Sequence, residues 1–356
     1  MKPFDSSFTD IHSFINNPRR PDFDNILCVL KREQPKRPTL FEFFLNDELY
    51  LKLANQKKPP ANDMLGYYKV IIQAFKNAGY DYTTMHGSDF HFSSDRHQDA
   101  GQKSISINAG GVISDRESFE KYQWADPSDA DYSLLEKLSD YLPEGMRLIV
   151  YGPGGVLENV ISLLGYDTLC YLLADDPALV GEVFNAVGSR LVKYYEICTP
   201  YPAVGALISN DDWGFNSQTM MSIPDMRKYV IPWHKKIVAT IHAGGKPAIL
   251  HSCGNLDPVM DDIIQVIKYD AKHSYEDKIL PVEQAYEKWG DRIAILGGID
   301  VDFLCRSTPE EIYNRSIAML ERTSQRGGYA LGSGNSIPYY VPHKNYLAMI
   351  AAVNWQ

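Results

Sequence analysis

The chain has 356 residues, 44% of them hydrophobic, with 45 acidic against 35 basic side chains, a net charge of -10 and a pI near 5.4. That length suits one large core or two domains, and the acidic balance excludes nucleic acid and anionic membranes as main partners, leaving small molecules or another protein. No apolar run reaches the roughly eighteen residues of a membrane helix, and Met1-Lys2-Pro3-Phe4-Asp5-Ser6 lacks a basic-then-apolar leader. These features predict a cytoplasmic protein. Five scattered cysteines, Cys28, Cys170, Cys198, Cys253 and Cys305, are odd in number and predict free thiols.

Residues 1 to about 60 hold Asn16-Asn17-Pro18-Arg19-Arg20-Pro21 and Lys57-Lys58-Pro59-Pro60, which predict an irregular helical lid, with the barrel proper over 61–356. From residue 80 onward, short apolar runs alternate with stretches of helical period. The runs are Tyr80 to His86, Arg147 to Tyr151, Ala203 to Ser209, Lys246 to Leu250, Tyr269 to His273, Ile293 to Leu296 and Tyr329 to Leu331. This is the rhythm of repeated βα units around a parallel sheet. An eighth strand is expected at Ser104-Ile105-Ser106-Ile107-Asn108, which would close an α/β fold of the (β/α)8 TIM barrel type with an N-terminal helical extension. Ser222-Ile223-Pro224-Asp225 starts a helix over Met226 to His242, and Thr308-Pro309-Glu310-Glu311 starts another reaching about Thr323.

In a parallel barrel, reactive groups collect where strands pass into their following loops. There the chain places His86, Ser88, Asp89 and His91; Asn210, Asp211 and Asp212; His251 and Cys253; His273 and Glu276; Asp300 and Asp302; and Ser333 and Asn335. Residues i and i+2 of a strand face the same way, so His251 and Cys253 can grip one zinc ion. Zinc takes three or four protein ligands, and oxygen donors from Glu276, Asp211 or Asp212 are the candidates for the third. The bland alternatives are a packed thiol, a hydrogen-bonded histidine, a solvated Asp211-Asp212 loop pair, and Asp300 as a helix cap.

The segments Asn210-Asp211-Asp212-Trp213-Gly214-Phe215, Pro232-Trp233-His234-Lys235-Lys236, His251-Ser252-Cys253-Gly254-Asn255, Gly297-Gly298-Ile299-Asp300 and Tyr329 to Pro342 together resemble the uroporphyrinogen decarboxylase superfamily. The resemblance runs from about residue 60 to the end. One branch of that superfamily decarboxylates a tetrapyrrole, and the other contains zinc-binding, cobalamin-dependent methyltransferases. The chain looks like the second. The arginine-rich segment of the decarboxylases is replaced here by Arg37-Pro38-Thr39-Leu40-Phe41-Glu42-Phe43-Phe44, and their His near the last strand by Gly332-Ser333-Gly334. Methyltransferases that feed a thiol carry a second Cys where this chain has Ser333.

Asp270-Ala271-Lys272-His273-Ser274-Tyr275-Glu276-Asp277 and Ile295-Leu296-Gly297-Gly298-Ile299-Asp300-Val301-Asp302 look most like O-demethylase methyltransferases. Those enzymes pass a methyl group from a methoxylated aromatic to the cob(I)alamin of a separate corrinoid protein. The resemblance implies zinc on His251, Cys253 and an acid, with Glu276 the first choice. Asp211 or Asp212 would place or protonate the leaving group, and His273 would take part in catalysis. His86, Ser333 and Asn335 would contact the cofactor. The implied partners are a small-molecule methyl donor and the corrinoid protein. The alternatives are a decarboxylase-like lyase, a methylcobalamin:thiol methyltransferase, and a non-catalytic member that binds a corrinoid carrier.

Overall fold

Runs such as Leu148-Ile149-Val150 and Ala248-Ile249-Leu250 are completely buried. Strands must be so when helices cover one face and a packed lumen fills the other. The computed structural model describes residues 3–94 and 111–354. Among the described residues are seven parallel strands: β1 (Tyr82–His86), β2 (Arg147–Tyr151), β3 (Val204–Asn210), β4 (Ala248–His251), β5 (Ala271–His273), β6 (Ala294–Leu296) and β7 (Tyr329–Ala330). Each pairs with the next in chain order, and helices fill the connections. The architecture is therefore a TIM-barrel-like α/β fold, with every predicted run forming a strand displaced by at most two residues. The eighth strand expected at residues 104–108 lies outside the described residues.

The seam between β7 and β1 is filled from the stretch expected to form a lid. Leu40 bridges Leu331 in parallel, and Phe41 N–H donates to the Leu331 carbonyl at 2.8 Å. On the β1 side the backbone ladder is replaced by side chains. The Tyr82 hydroxyl accepts from Glu42 N–H at 2.6 Å and lies 2.8 Å from the Glu42 carbonyl, while Thr84 Oγ1 donates to the Phe43 carbonyl at 2.6 Å. Each such bond contributes about 1 kcal/mol, and together they satisfy backbone groups that could not stay buried unpaired. Gly332 permits this close approach, because a Cβ there would sit 1.6 Å from the Phe41 oxygen.

The helix starts follow the sequence. Ser222 accepts from Asp225 N–H, and Thr308 forms a capping box with Glu311 ahead of the helix Pro309–Thr323. The expected helix over Met226 to His242 is divided into a π-turn, Met226–Val230, and the α-helix Ile231–Ala243. Pro232 has no N–H to offer the preceding turn, and the Ile231 N–H reaches Met226 instead, so the wider turn absorbs the missing bond. Among the described residues no single helix is long and apolar enough to cross a membrane.

Candidate metal centre and active site

The strand register sets the site. Asn210 pairs with His251, and His251 with His273, so these three side chains point to one face, the lumen. Two residues on, Asp212 and Cys253 face the same way. The donor atoms of Asp212, His251 and Cys253 all lie within 4.8 Å of one another. The Asp212 carboxylate accepts from Cys253 N–H at 2.8 Å, which ties the β3 and β4 ends together. Gly254 makes the next step possible. Its φ is +86°, and a Cβ there would lie 2.0 Å from the Gly214 oxygen, so the two loops could not close on each other with a larger residue.

The hydrogen bonds behind His251 determine which of its nitrogens is free. The Ser333 carbonyl can only accept, so the 3.2 Å contact from His273 Nε2 places a proton there. A neutral His273 then offers Nδ1 as acceptor. The 2.8 Å contact between the two Nδ1 atoms requires His251 to carry its proton on Nδ1. His251 Nε2 is left with a lone pair, 4.0 Å from Cys253 Sγ. Burial holds both rings neutral: it drives the His273 pKa down to about 3 and that of His251 well below its ordinary value.

Ser333 is itself held from below. Its hydroxyl donates to Glu42 Oε1 at 2.6 Å and its N–H to Oε2 at 3.2 Å. Glu42 is fully buried, and that burial lifts its pKa to about 8. Ser333 therefore stands behind the site rather than in it. The last loop reaches the sulfur through Asn335, whose Nδ2 donates to Cys253 Sγ at 3.3 Å.

Asp211 faces the other way, as strand alternation requires. Its carboxylate accepts from Leu157 N–H and Glu158 N–H at 2.9 Å each, and from Trp213 Nε1 at 2.8 Å, and it lies 2.8 Å from His234 Nε2. The catalytic role expected of Asp211 gives way to a structural one: four donors bind a buried carboxylate to the N-terminus of the helix Val156–Leu164 and to the helix Ile231–Ala243. Glu158, on the first turn of that helix, accepts from Asp212 N–H and has its pKa raised to about 8, first by burial and then by Asp211 and Asp212.

Glu276, expected as the third metal ligand, is not among the three clustered donor residues, and Asp212 is. Glu276 lies three residues beyond β5, where the loop has turned outward. Its carboxylate accepts from Gly254 N–H, and its pKa is raised by burial and by the charges of Asp300 and Asp212. It lines a mouth cavity of about 340 Å³ together with Lys278, Asp300, Asp302 and Tyr340. Asp300 accepts from Phe303 N–H and Asp277 N–H, so it is the helix cap of the bland reading. Opposite stand aromatic rings: Phe43 is 4.6 Å from His251 and 5.2 Å from Tyr151, which is 5.4 Å from His86. His86 Nδ1 is bonded to the Ser88 carbonyl, and His86 is not among the three clustered donor residues.

The donor set fits zinc. An imidazole, a thiol and a carboxylate are borderline-soft ligands of the kind zinc takes, and about 3.6 Å would separate N from S in a tetrahedral site. Burial also makes the charged forms unfavourable without a cation. It pushes the Cys253 thiol up, with Asp212 adding to the shift, and raises Asp212 itself. A divalent ion reverses that balance. On the outer side of the strands, Lys272 Nζ donates to the Ser252 and Ser274 carbonyls at 3.3 and 2.5 Å, and its pKa falls to about 8 through burial. Lys272, Glu42 and Glu158 were not foreseen. The one signal was an ionisable residue inside the apolar runs Phe41-Glu42-Phe43 and Ala271-Lys272-His273.

Residues 112–355 match the family model described as Uroporphyrinogen decarboxylase (URO-D). The sequence matches no curated protein at a significant level. Among solved structures, a methyltransferase from Methanosarcina mazei superposes with a TM-score of 0.68 at 14% identity, covering 93% of this chain and 97% of that one. A putative vitamin-B12-independent methionine synthase from Listeria monocytogenes gives 0.53 at 12% identity, covering 95% and 98%. At these identities the likeness is one of fold.

Proposed function

The chain belongs to the uroporphyrinogen decarboxylase (URO-D) family, and from that premise we propose that it is a zinc-dependent methyltransferase. It would move a methyl group from a methoxylated aromatic to the cob(I)alamin of a corrinoid protein. The observation that carries the reading is the cluster of Asp212, His251 and Cys253 at the strand ends, where a barrel enzyme places its chemistry. The two structural neighbours, a methyltransferase and a vitamin-B12-independent methionine synthase, support methyl transfer as the reaction type and leave the corrinoid acceptor to the proposal.

In the proposed reaction the ether C–O bond would break with its electron pair going to oxygen, and the new bond to carbon would take its pair from the cob(I)alamin of the partner protein, the methyl acceptor. Zinc on His251 Nε2, Cys253 Sγ and Asp212 would supply a Lewis acid for the departing oxygen, an effect of several kcal/mol on the barrier. Asn335 holds the sulfur from one side through its amide. Phe43, Tyr151 and the half-exposed Phe44 offer flat apolar faces to an arene. Glu276, Asp300 and Asp302 outnumber Lys278 in the mouth cavity, which disfavours the lyase alternative, since a tetrapyrrole with many carboxylates would be repelled there.

Two measurements test the proposal. Purified protein is expected to hold about one zinc, lost from both His251→Ala and Cys253→Ala. It is also expected to convert a methoxyarene to its phenol only when cob(I)alamin is supplied. Zinc retained in both variants, or carbon dioxide released from uroporphyrinogen without corrinoid, would overturn it.

A further inference from the structure

Glu42 is a buried group that the chemistry above does not use. It lies in the seam segment, 291 positions from Ser333 in sequence, with no exposed surface. Among the described residues its hydrogen-bond partners are the Ser333 hydroxyl, the Ser333 N–H and the Phe43 N–H, with no cation among them. A buried acid without a counter-charge is unfavourable relative to an apolar side chain that would fill the same space. What it does there is hold one residue at two points, the hydroxyl and the N–H. That grip orients the Ser333 peptide, whose carbonyl accepts from His273 Nε2 and also from Gly298 N–H at 2.8 Å. The next contact in the column is His273 Nδ1 to His251 Nδ1.

We propose that Glu42 is the positioning residue for the metal-binding imidazole: through Ser333 and His273 it fixes the tautomer and aim of His251, so that Nε2 faces Cys253 and Asp212. The inference rests on the zinc reading for its purpose, but its geometry concerns the chain alone. Partners that orient a ligating histidine govern both which nitrogen is free and how well it binds. Glu42 also joins the two ends of the barrel wall, so the site is assembled only when the seam is closed.

The test uses Glu42→Leu, which removes the grip, and Glu42→Gln, whose amide can accept from the Ser333 N–H and donate to its hydroxyl. Zinc affinity is measured by chelator competition. The ring protons of His251 and His273 are read in metal-free protein from long-range proton–nitrogen spectra. Glu42→Leu is expected to weaken zinc binding about 10- to 100-fold and to replace the single Nδ1–H form of His251 by a mixture; Glu42→Gln restores both. A folded Glu42→Leu protein with wild-type affinity and tautomer overturns the proposal. Should that variant fail to fold, Ser333→Ala removes the hydroxyl alone, and an unchanged affinity and His251 tautomer there overturns it equally. Wild-type protein that binds no zinc, yet shows a single His251 tautomer that Glu42→Leu scrambles, sinks the methyl-transfer reading and sustains the positioning role.

Discussion

Asp211 and Asp212 are neighbours in the chain and belong to different regions of the molecule. Asp211 points out of the sheet into the packing between strand and helices, where four donors meet its carboxylate. Asp212 points into the mouth, where it accepts from the Cys253 N–H and shares space with His251 and Cys253. The lesson is that chemistry-bearing residues in a strand end divide by parity. One carboxylate is consumed in holding the wall, and that is what lets the next stand unsaturated beside a thiol and an imidazole.

The sharpest way to break this comparison is Asp211→Ala. It strands several buried donors, and the expected loss is about 3–5 kcal/mol of stability, read by denaturant unfolding; a loss below about 1 kcal/mol would show that the outer carboxylate is not the structural one. Asp212→Ala should do the opposite. Its burial already opposes its charge, so metal-free stability is expected to stay within about 1 kcal/mol of wild type, while zinc affinity drops at least tenfold. Equal zinc affinity in the two proteins would remove Asp212 from the ligand set.

The third expected effect is a slope. Glu42 has its pKa raised from 4.5 to about 8 in the folded chain, so the native state binds the extra proton between those values. Its contribution to stability is complete below about pH 4.5 and is lost as pH rises to about 8, at no more than about 1.4 kcal/mol per unit. Glu42→Gln removes the titration, and its stability relative to wild type is expected to rise across that window. A difference that stays flat from pH 5 to 8 would mean that Glu42 is ionised in the fold.

Much of this was legible in the residues. Seven apolar runs bounded by turn chemistry gave seven strands, because a strand buried on both faces must be apolar throughout. His251-Ser252-Cys253 announced a shared face by its spacing alone. Glu276, the third donor expected from the sequence, stands outside the cluster, because sequence order says which loop a residue occupies but not how far that loop has turned. Asp212 lies two residues past β3, still in register with Cys253, whereas Glu276 lies three past β5 and faces the outer cavity.

Local pattern thus determined the fold class, the strand positions and the imidazole–thiol pair, since periodicity and side-chain alternation act over a few residues. The tertiary structure alone decided that residues 39–45 seal the barrel, that Glu42 stands beneath Ser333, and that Asp212 rather than its neighbour meets the thiol. These are contacts between segments tens to hundreds of residues apart. They are settled by which buried polar groups find partners once the sheet has curled, and no local spacing encodes that outcome.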